Sequence, residues 1–120
     1  MLERPRRVEK PWGYELIWAE TSDYVGKILH VKAGEALSLQ YHEIKDETFY
    51  LLSGRMLFQA GPSVDALVDY QMQAGERVRV TAGTIHRMIA QTDVDILEAS
   101  TPHLDDVIRL DDRYGRTGAV

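Results

Sequence analysis

From Tyr14 onward, short apolar runs alternate with polar residues and are cut by glycine, with no long stretch at helical spacing. Strands are expected at 14–18, 24–32, 36–42, 48–52, 56–60, 66–70, 76–80, 86–90 and 95–99. Strands repeating about every 8 to 12 residues predict an all-β sandwich or barrel. The breaks agree: Lys32-Ala33-Gly34, Ser53-Gly54, Gly61-Pro62-Ser63, Ala74-Gly75 and Ala82-Gly83 supply residues that tolerate tight or left-handed backbone. The first ten residues are polar and locally basic (Arg4, Arg6, Arg7, Lys10) and end at Pro11-Trp12-Gly13. They read as an arm, 1–13, carrying an exposed aromatic. One domain then spans 14–116 and a tail spans 117–120. After Pro102 the chain turns charged, with Val107, Ile108 and Leu110 as its apolar pegs, and a short helical turn or docking segment is expected there.

A length of 120 residues allows one compact domain. Fourteen Lys and Arg against 19 Asp and Glu leave a formal charge of -5, which argues against broad capture of nucleic acid or an anionic membrane. An anionic ligand would need local basic groups. The absence of cysteine removes disulfides, zinc-thiolate sites and thiol nucleophiles together. No run of about 18 apolar residues spans a bilayer and no signal-peptide core opens the chain, so a cytoplasmic address is the expectation.

The chemistry concentrates around two histidines, His42 and His86, and the carboxylate of Glu47. In Leu37-Ser38-Leu39-Gln40-Tyr41-His42, alternation puts Ser38, Gln40 and His42 on one face. Glu47 follows a four-residue turn, Glu43-Ile44-Lys45-Asp46, and returns beside Gln40 and His42. His86, after Thr81-Ala82-Gly83-Thr84-Ile85, can supply a fourth ligand. His, carboxylate and amide oxygen together suit a divalent cation such as Mn, Fe, Co, Ni or Zn. Spacing alone leaves a surface or hydrogen-bonded histidine as the competing reading. His30 and His103 are expected to be structural. Glu43 and Asp46 are carboxylates in the right turn, where solvation competes with a role as general base.

Gly34, Gln40-Tyr41-His42, Glu47 and Gly54 resemble the first cupin motif, with Gln where the family has the first His of a His-x-His pair. Gly75, Thr81-Ala82-Gly83 and His86 resemble the second. That resemblance implies a single-domain double-stranded β-helix, or jelly-roll barrel, with a divalent metal in its mouth held by Gln40, His42, Glu47 and His86.

A narrower resemblance runs through Lys10-Pro11-Trp12-Gly13-Tyr14-Glu15, Leu37-Ser38-Leu39-Gln40, Ala82-Gly83-Thr84-Ile85-His86-Arg87, Asp106-Val107-Ile108-Arg109-Leu110 and Asp112-Arg113-Tyr114-Gly115-Arg116. It is to the type II mannose-6-phosphate isomerase domain, which often occurs fused to a nucleotidyltransferase. The resemblance implies a metal-dependent aldose-ketose isomerase acting on a sugar phosphate through an enediol. Lys45 stands where that family has its catalytic Arg, and a lysine offers charge without the planar fork. Lys45 and Arg87 are the candidate catalytic residues nearest the substrate's charge, although alternation from His86 points Arg87 to the opposite face. Arg109, Arg113 and Arg116 either meet substrate or pair with Asp105, Asp106, Asp111 or Asp112. Two alternatives stand beside the isomerase: a non-catalytic metal-containing cupin binding a sugar phosphate or small acid, and an Fe(II) dioxygenase. A homodimer is expected, paired through a sheet edge or the arm.

Overall fold

The computed structural model describes residues 1–119 and shows a barrel of two six-stranded sheets, all neighbours antiparallel. The strands are β1 (Arg6–Lys10), β2 (Gly13–Glu20), β3 (Val25–Val31), β4 (Leu39–Tyr41), β5 (Glu47–Ser53), β6 (Arg55–Gly61), β7 (Val68–Gln73), β8 (Arg77–Val80), β9 (Ile85–Ala90), β10 (Val94–Ser100), β11 (Ile108–Asp111) and β12 (Gly118–Ala119). One sheet runs β1-β2-β3-β10-β5-β8 and the other β12-β11-β4-β9-β6-β7. This is the double-stranded β-helix of the cupins. Among the described residues no helix is long and apolar enough to cross a membrane.

Alternation decides what faces inward. Phe49 and Leu51 of β5, Ile96 of β10, Met56 and Phe58 of β6 and Met88 of β9 are buried together in the core between the sheets. Their neighbours Tyr50 and Leu52 are exposed on the outer face. A 3₁₀ turn, Val64–Ala66, replaces the first residue of the strand expected at 66–70.

The structure corrects the expectations for both ends of the chain. Residues 6–10, expected as a free arm, form β1 and pair with β2 from Arg6↔Ile17 to Lys10↔Gly13. Trp12, expected to be exposed, is 3% exposed and belongs to the core. The turn that buries it requires Gly13, because a Cβ there would lie 1.9 Å from the His30 carbonyl oxygen. The segment after Pro102, expected as a helical turn or docking segment, supplies β11, which pairs with β4 and β12. Of the expected tail 117–120, Gly118–Ala119 is β12, and Val120 lies outside the described residues.

Candidate metal centre and its cavity

At the mouth of the barrel, β4 leads into His42, β5 begins with Glu47, and β9 carries His86 as its second residue. Ligand atoms of these three side chains lie within 4.8 Å of one another, and all three are buried. The His42 Nδ1–H donates to the Asp106 carbonyl at 2.5 Å and the His86 Nδ1–H to the Thr84 carbonyl at 3.0 Å. Those bonds put the proton on Nδ1 and turn each Nε2 toward Glu47. Glu47 Oε2 is 2.6 Å from His42 Nε2 and 3.3 Å from His86 Nε2. His86 is fully buried, and its Nε2 has no hydrogen-bond partner. A buried imidazole nitrogen without a hydrogen-bond partner, facing a buried carboxylate oxygen, is a pair of electron donors that a cation satisfies. Two imidazoles and one carboxylate therefore fit a divalent transition metal.

Gln40 sits in cross-strand register with His86 and lines the same cavity as His42 and Glu47. Its Oε1 accepts from Ser38 Oγ at 2.7 Å. The expected inward face of Ser38, Gln40 and His42 is present: all three line a cavity of about 230 Å³.

Lys45 is placed differently from expectation. It is 5% exposed, and its Nζ lies 3.1 Å from Glu47 Oε1 and 3.3 Å from Glu98 Oε2. The ammonium borders the cavity but is committed to two buried carboxylates. Burial alone would lower its pKa, and the charges of Glu98 and Glu47 outweigh that and raise it. Burial pushes Glu47 upward, yet the imidazoles of His42 and His86 and the charge of Lys45 hold it well below the usual carboxylate range. Glu98, which the sequence reading passed over, is 3% exposed and lines the cavity.

Arg87 is not brought to this site. It follows the inward His86, donates to Gln59 Oε1 at 3.0 Å and lies 3.4 Å from Asp111. Asp46 turns outward to Arg79, with Nη2 at 2.6 Å from its Oδ2, and Glu43 is exposed, so neither turn carboxylate enters the cavity. His30 pairs with Asp95 at 2.7 Å and stacks on Tyr14, while His103 bonds Thr101, as expected of structural histidines.

Asp106 was also missed by sequence reasoning. Its carboxylate accepts the backbone N–H groups of Glu43, Ile44 and Lys45 at 3.0, 2.7 and 2.8 Å, while its carbonyl accepts the hydrogen bond from the His42 Nδ1–H. One residue thus shapes the ligand-bearing turn and orients a ligand. Burial would raise the Asp106 pKa, and the three N–H bonds lower it overall. Of the terminal arginines, Arg116 clasps Asp112 through Nε and Nη2, both at 3.0 Å, and Arg113 donates to the Gly34 carbonyl. Arg109 and Arg116 line the cavity, whereas Arg113 does not.

The pattern of the family described as "Mannose-6-phosphate isomerase C-terminal" matches residues 1–112. The chain is 31% identical over 117 residues to mannose-1-phosphate guanylyltransferase ManC of Salmonella typhimurium, covering 92% of this chain and 23% of that protein. It is 30% identical over 118 residues to the xanthan biosynthesis protein XanB of Xanthomonas campestris pv. campestris, covering 93% of this chain and 24% of that one. The chain thus spans about a quarter of the length of these curated relatives. Among solved structures, the capsular polysaccharide assembling protein CapF from Staphylococcus aureus superposes with a TM-score of 0.76 at 18% identity, over 90% of this chain and 34% of that one. KdgF from Halomonas sp. gives 0.69 at 17% identity, over 81% of this chain and 87% of that one. The chain therefore belongs to the mannose-6-phosphate isomerase C-terminal family, on a cupin fold.

Proposed function

We propose that this domain is a metal-dependent isomerase interconverting an aldose phosphate and a ketose phosphate. The observation that carries the reading is the pair of inward Nε2 atoms closing on Glu47, one of them without a hydrogen-bond partner, beside a cavity of small-sugar size. His42, Glu47 and His86 would hold the metal, with Gln40 as the fourth ligand. When bound, the metal supplies electrophilic polarisation of a carbonyl or hydroxyl oxygen. Lys45 offers positive charge next to that oxygen. Glu98, which lines the cavity and whose Oε2 lies 3.3 Å from Lys45 Nζ, is the carboxylate that carries a proton between adjacent carbons. Arg87, on the other face, has no part in it.

The fixed position of Lys45 between two carboxylates favours a second reading, a metal-containing cupin that binds a sugar phosphate or small acid without turnover. An assay of the metal-loaded protein on mannose 6-phosphate and fructose 6-phosphate separates them. Interconversion supports the isomerase. Binding without interconversion supports the second reading, and neither binding nor turnover refutes both.

The domain works as a homodimer in this proposal. β1 is the edge strand of its sheet, and Trp18, Tyr50 and Leu52 are exposed on that sheet's outer face, which supports pairing through this edge or face. Light scattering that showed a monomer at micromolar concentration would exclude it.

A further inference from the structure

The two sheets are not joined all the way round. β7 ends one sheet and β8 ends the other, and although the turn at Ala74-Gly75 connects them, no ladder pairs them among the described residues. The partners Met56↔Met72, Phe58↔Tyr70 and Ala60↔Val68 put Val68, Tyr70 and Met72 on the inner face of β7, and Phe49↔Val78 and Glu47↔Val80 put Val78 and Val80 on that of β8. Phe58 is buried, whereas Tyr70, opposite it on the same face, is 52% exposed. Between the two free edges lies a cavity of about 400 Å³ walled by Phe58, Tyr70, Met72, Val78 and Val80. It shares no lining residue with the cavity at the metal centre.

The polar rim decides what this cavity takes. Arg79 is bound to Asp46, the Glu76 carboxylate accepts the Gln73 N–H at 2.7 Å, and Gln71 and Gln91 bond each other through their amides. The Arg77 guanidinium and the Tyr70 hydroxyl make no ion pair or side-chain hydrogen bond among the described residues. Both of these remaining groups can donate, and one of them is charged. They stand beside aromatic and aliphatic walls, with the Phe58 and Tyr70 rings tilted by 37° and their centroids 6.4 Å apart. Such a lining is complementary to a flat apolar body that carries one anionic oxygen group, and the volume is that of a small-molecule site.

We propose that the seam between β7 and β8 is a second ligand site, separate from the metal centre, that takes a small aromatic carboxylate, with its ring against Phe58, Tyr70 and Val78 and its carboxylate on Arg77. The inference does not depend on the isomerase reading. The site nevertheless backs onto a metal ligand. The Phe58 ring lies 6.3 Å from the His86 ring, and Thr84, which also lines the seam cavity, accepts the His86 Nδ1–H through its carbonyl.

The test is titration of the zinc-loaded protein with 2-naphthoate and with neutral 2-naphthamide, followed through the backbone amide chemical shifts. In wild type, saturable shifts are expected at Tyr70, Met72, Val78 and Val80, while Ser38 and Gln40, at the other cavity, stay unmoved. Arg77→Gln should weaken 2-naphthoate by at least about fivefold, as loss of a charge-assisted bond at an exposed arginine implies, and leave 2-naphthamide within about twofold. Tyr70→Ala should weaken both compounds by at least about fivefold through loss of the ring contact. Both residues are exposed, so each variant should unfold within about 3 °C of wild type. The wild-type mapping stands without the variants: no saturable shift at the seam with millimolar 2-naphthoate, or shifts confined to Ser38 and Gln40, would overturn the site. Binding of 2-naphthoate at the seam that Arg77→Gln leaves within about twofold would overturn the assignment of an anionic ligand. Neither result touches the isomerase reading, which the mannose 6-phosphate assay decides separately.

Discussion

Removing the Lys45 ammonium isolates the energetics of the buried charges behind the metal centre. In Lys45→Met, Glu47 and Glu98 lose a cation 3.1 and 3.3 Å away while remaining buried. At an effective dielectric of about 20, each contact is worth about 5 kcal/mol of attraction, most of it offset in the intact protein by the cost of desolvating the three charges. Deleting one partner leaves that cost uncompensated, and such deletions typically lose about 3–5 kcal/mol. For a domain of this size that corresponds to a fall of about 12–20 °C in unfolding temperature, at about 4 °C per kcal/mol. Adding Glu98→Gln should restore a substantial part of the loss, because the second uncompensated carboxylate disappears, giving a coupling of about 1 kcal/mol or more. Thermal and urea unfolding of the metal-free wild type, both single variants and the double variant measure this directly. A divalent metal should restore more stability to Lys45→Met than it adds to wild type, since it replaces the missing charge beside Glu47. A loss under about 1 kcal/mol, or additive effects of the two substitutions, would show that water reaches this cluster and that the buried network does not exist.

Asp106→Ala should lose about 1–3 kcal/mol, because three backbone N–H groups lose their acceptor, and should weaken metal binding by loosening the 43–45 turn. Chemical denaturation with parallel metal titration checks both; unchanged metal affinity would separate the turn from the site. The acid limb of stability follows from Glu47 and Asp106, whose pKa values are depressed below 4.5 and 3.8, so their contribution is complete above those values and is lost as pH falls through the folded-state ones. Lys45 has the opposite sign: raised above 10.5, its contribution is complete below that and is lost as pH rises through the folded value. Melting curves from pH 2 to 11 should show a plateau bounded on both sides, with the alkaline fall diminished in Lys45→Met. Arg87→Gln should leave metal content and sugar-phosphate affinity within about twofold, since Arg87 bonds only outer-face partners; a tenfold loss of affinity by titration would return Arg87 to the site.

What the sequence made legible follows what each strand faces. Strands whose inward side chains enter the apolar core, such as β5 with Phe49 and Leu51, show the period of two and were read close to their observed ends. The inward residues of β1 are Arg6, Val8 and Lys10, and those at the start of β11 include Arg109, because these strands wall a polar cavity. On β1 one largely charged face alternates with another and leaves no hydrophobic signature, and on β11 Ile108 and Leu110 alternate with Arg109 and Asp111 over only four residues, so an arm and a docking segment are expected where strands stand. The same logic hid Glu98, although Val94 and Ile96 set the inward phase of β10 and carry it to position 98. His42, Glu47 and His86 were legible because their motif spacing coincides with the turns that bring them together. Asp106 was not, since its partners lie 61 to 63 residues away and no local pattern marks a carboxylate that bonds distant backbone. Lys45 was read for its charge, and its burial depends on Glu98 from another strand.

Metal content of the protein purified without chelators tests the central claim most directly. The geometry predicts about one divalent transition metal per chain by native mass spectrometry, as expected for a site of two imidazoles and a carboxylate. His86→Ala and Glu47→Gln should each retain at least about tenfold less metal, while circular dichroism shows the same β structure. No metal under any loading condition, or undiminished metal in both variants, would contradict the assignment of His42, Glu47 and His86 as the ligands.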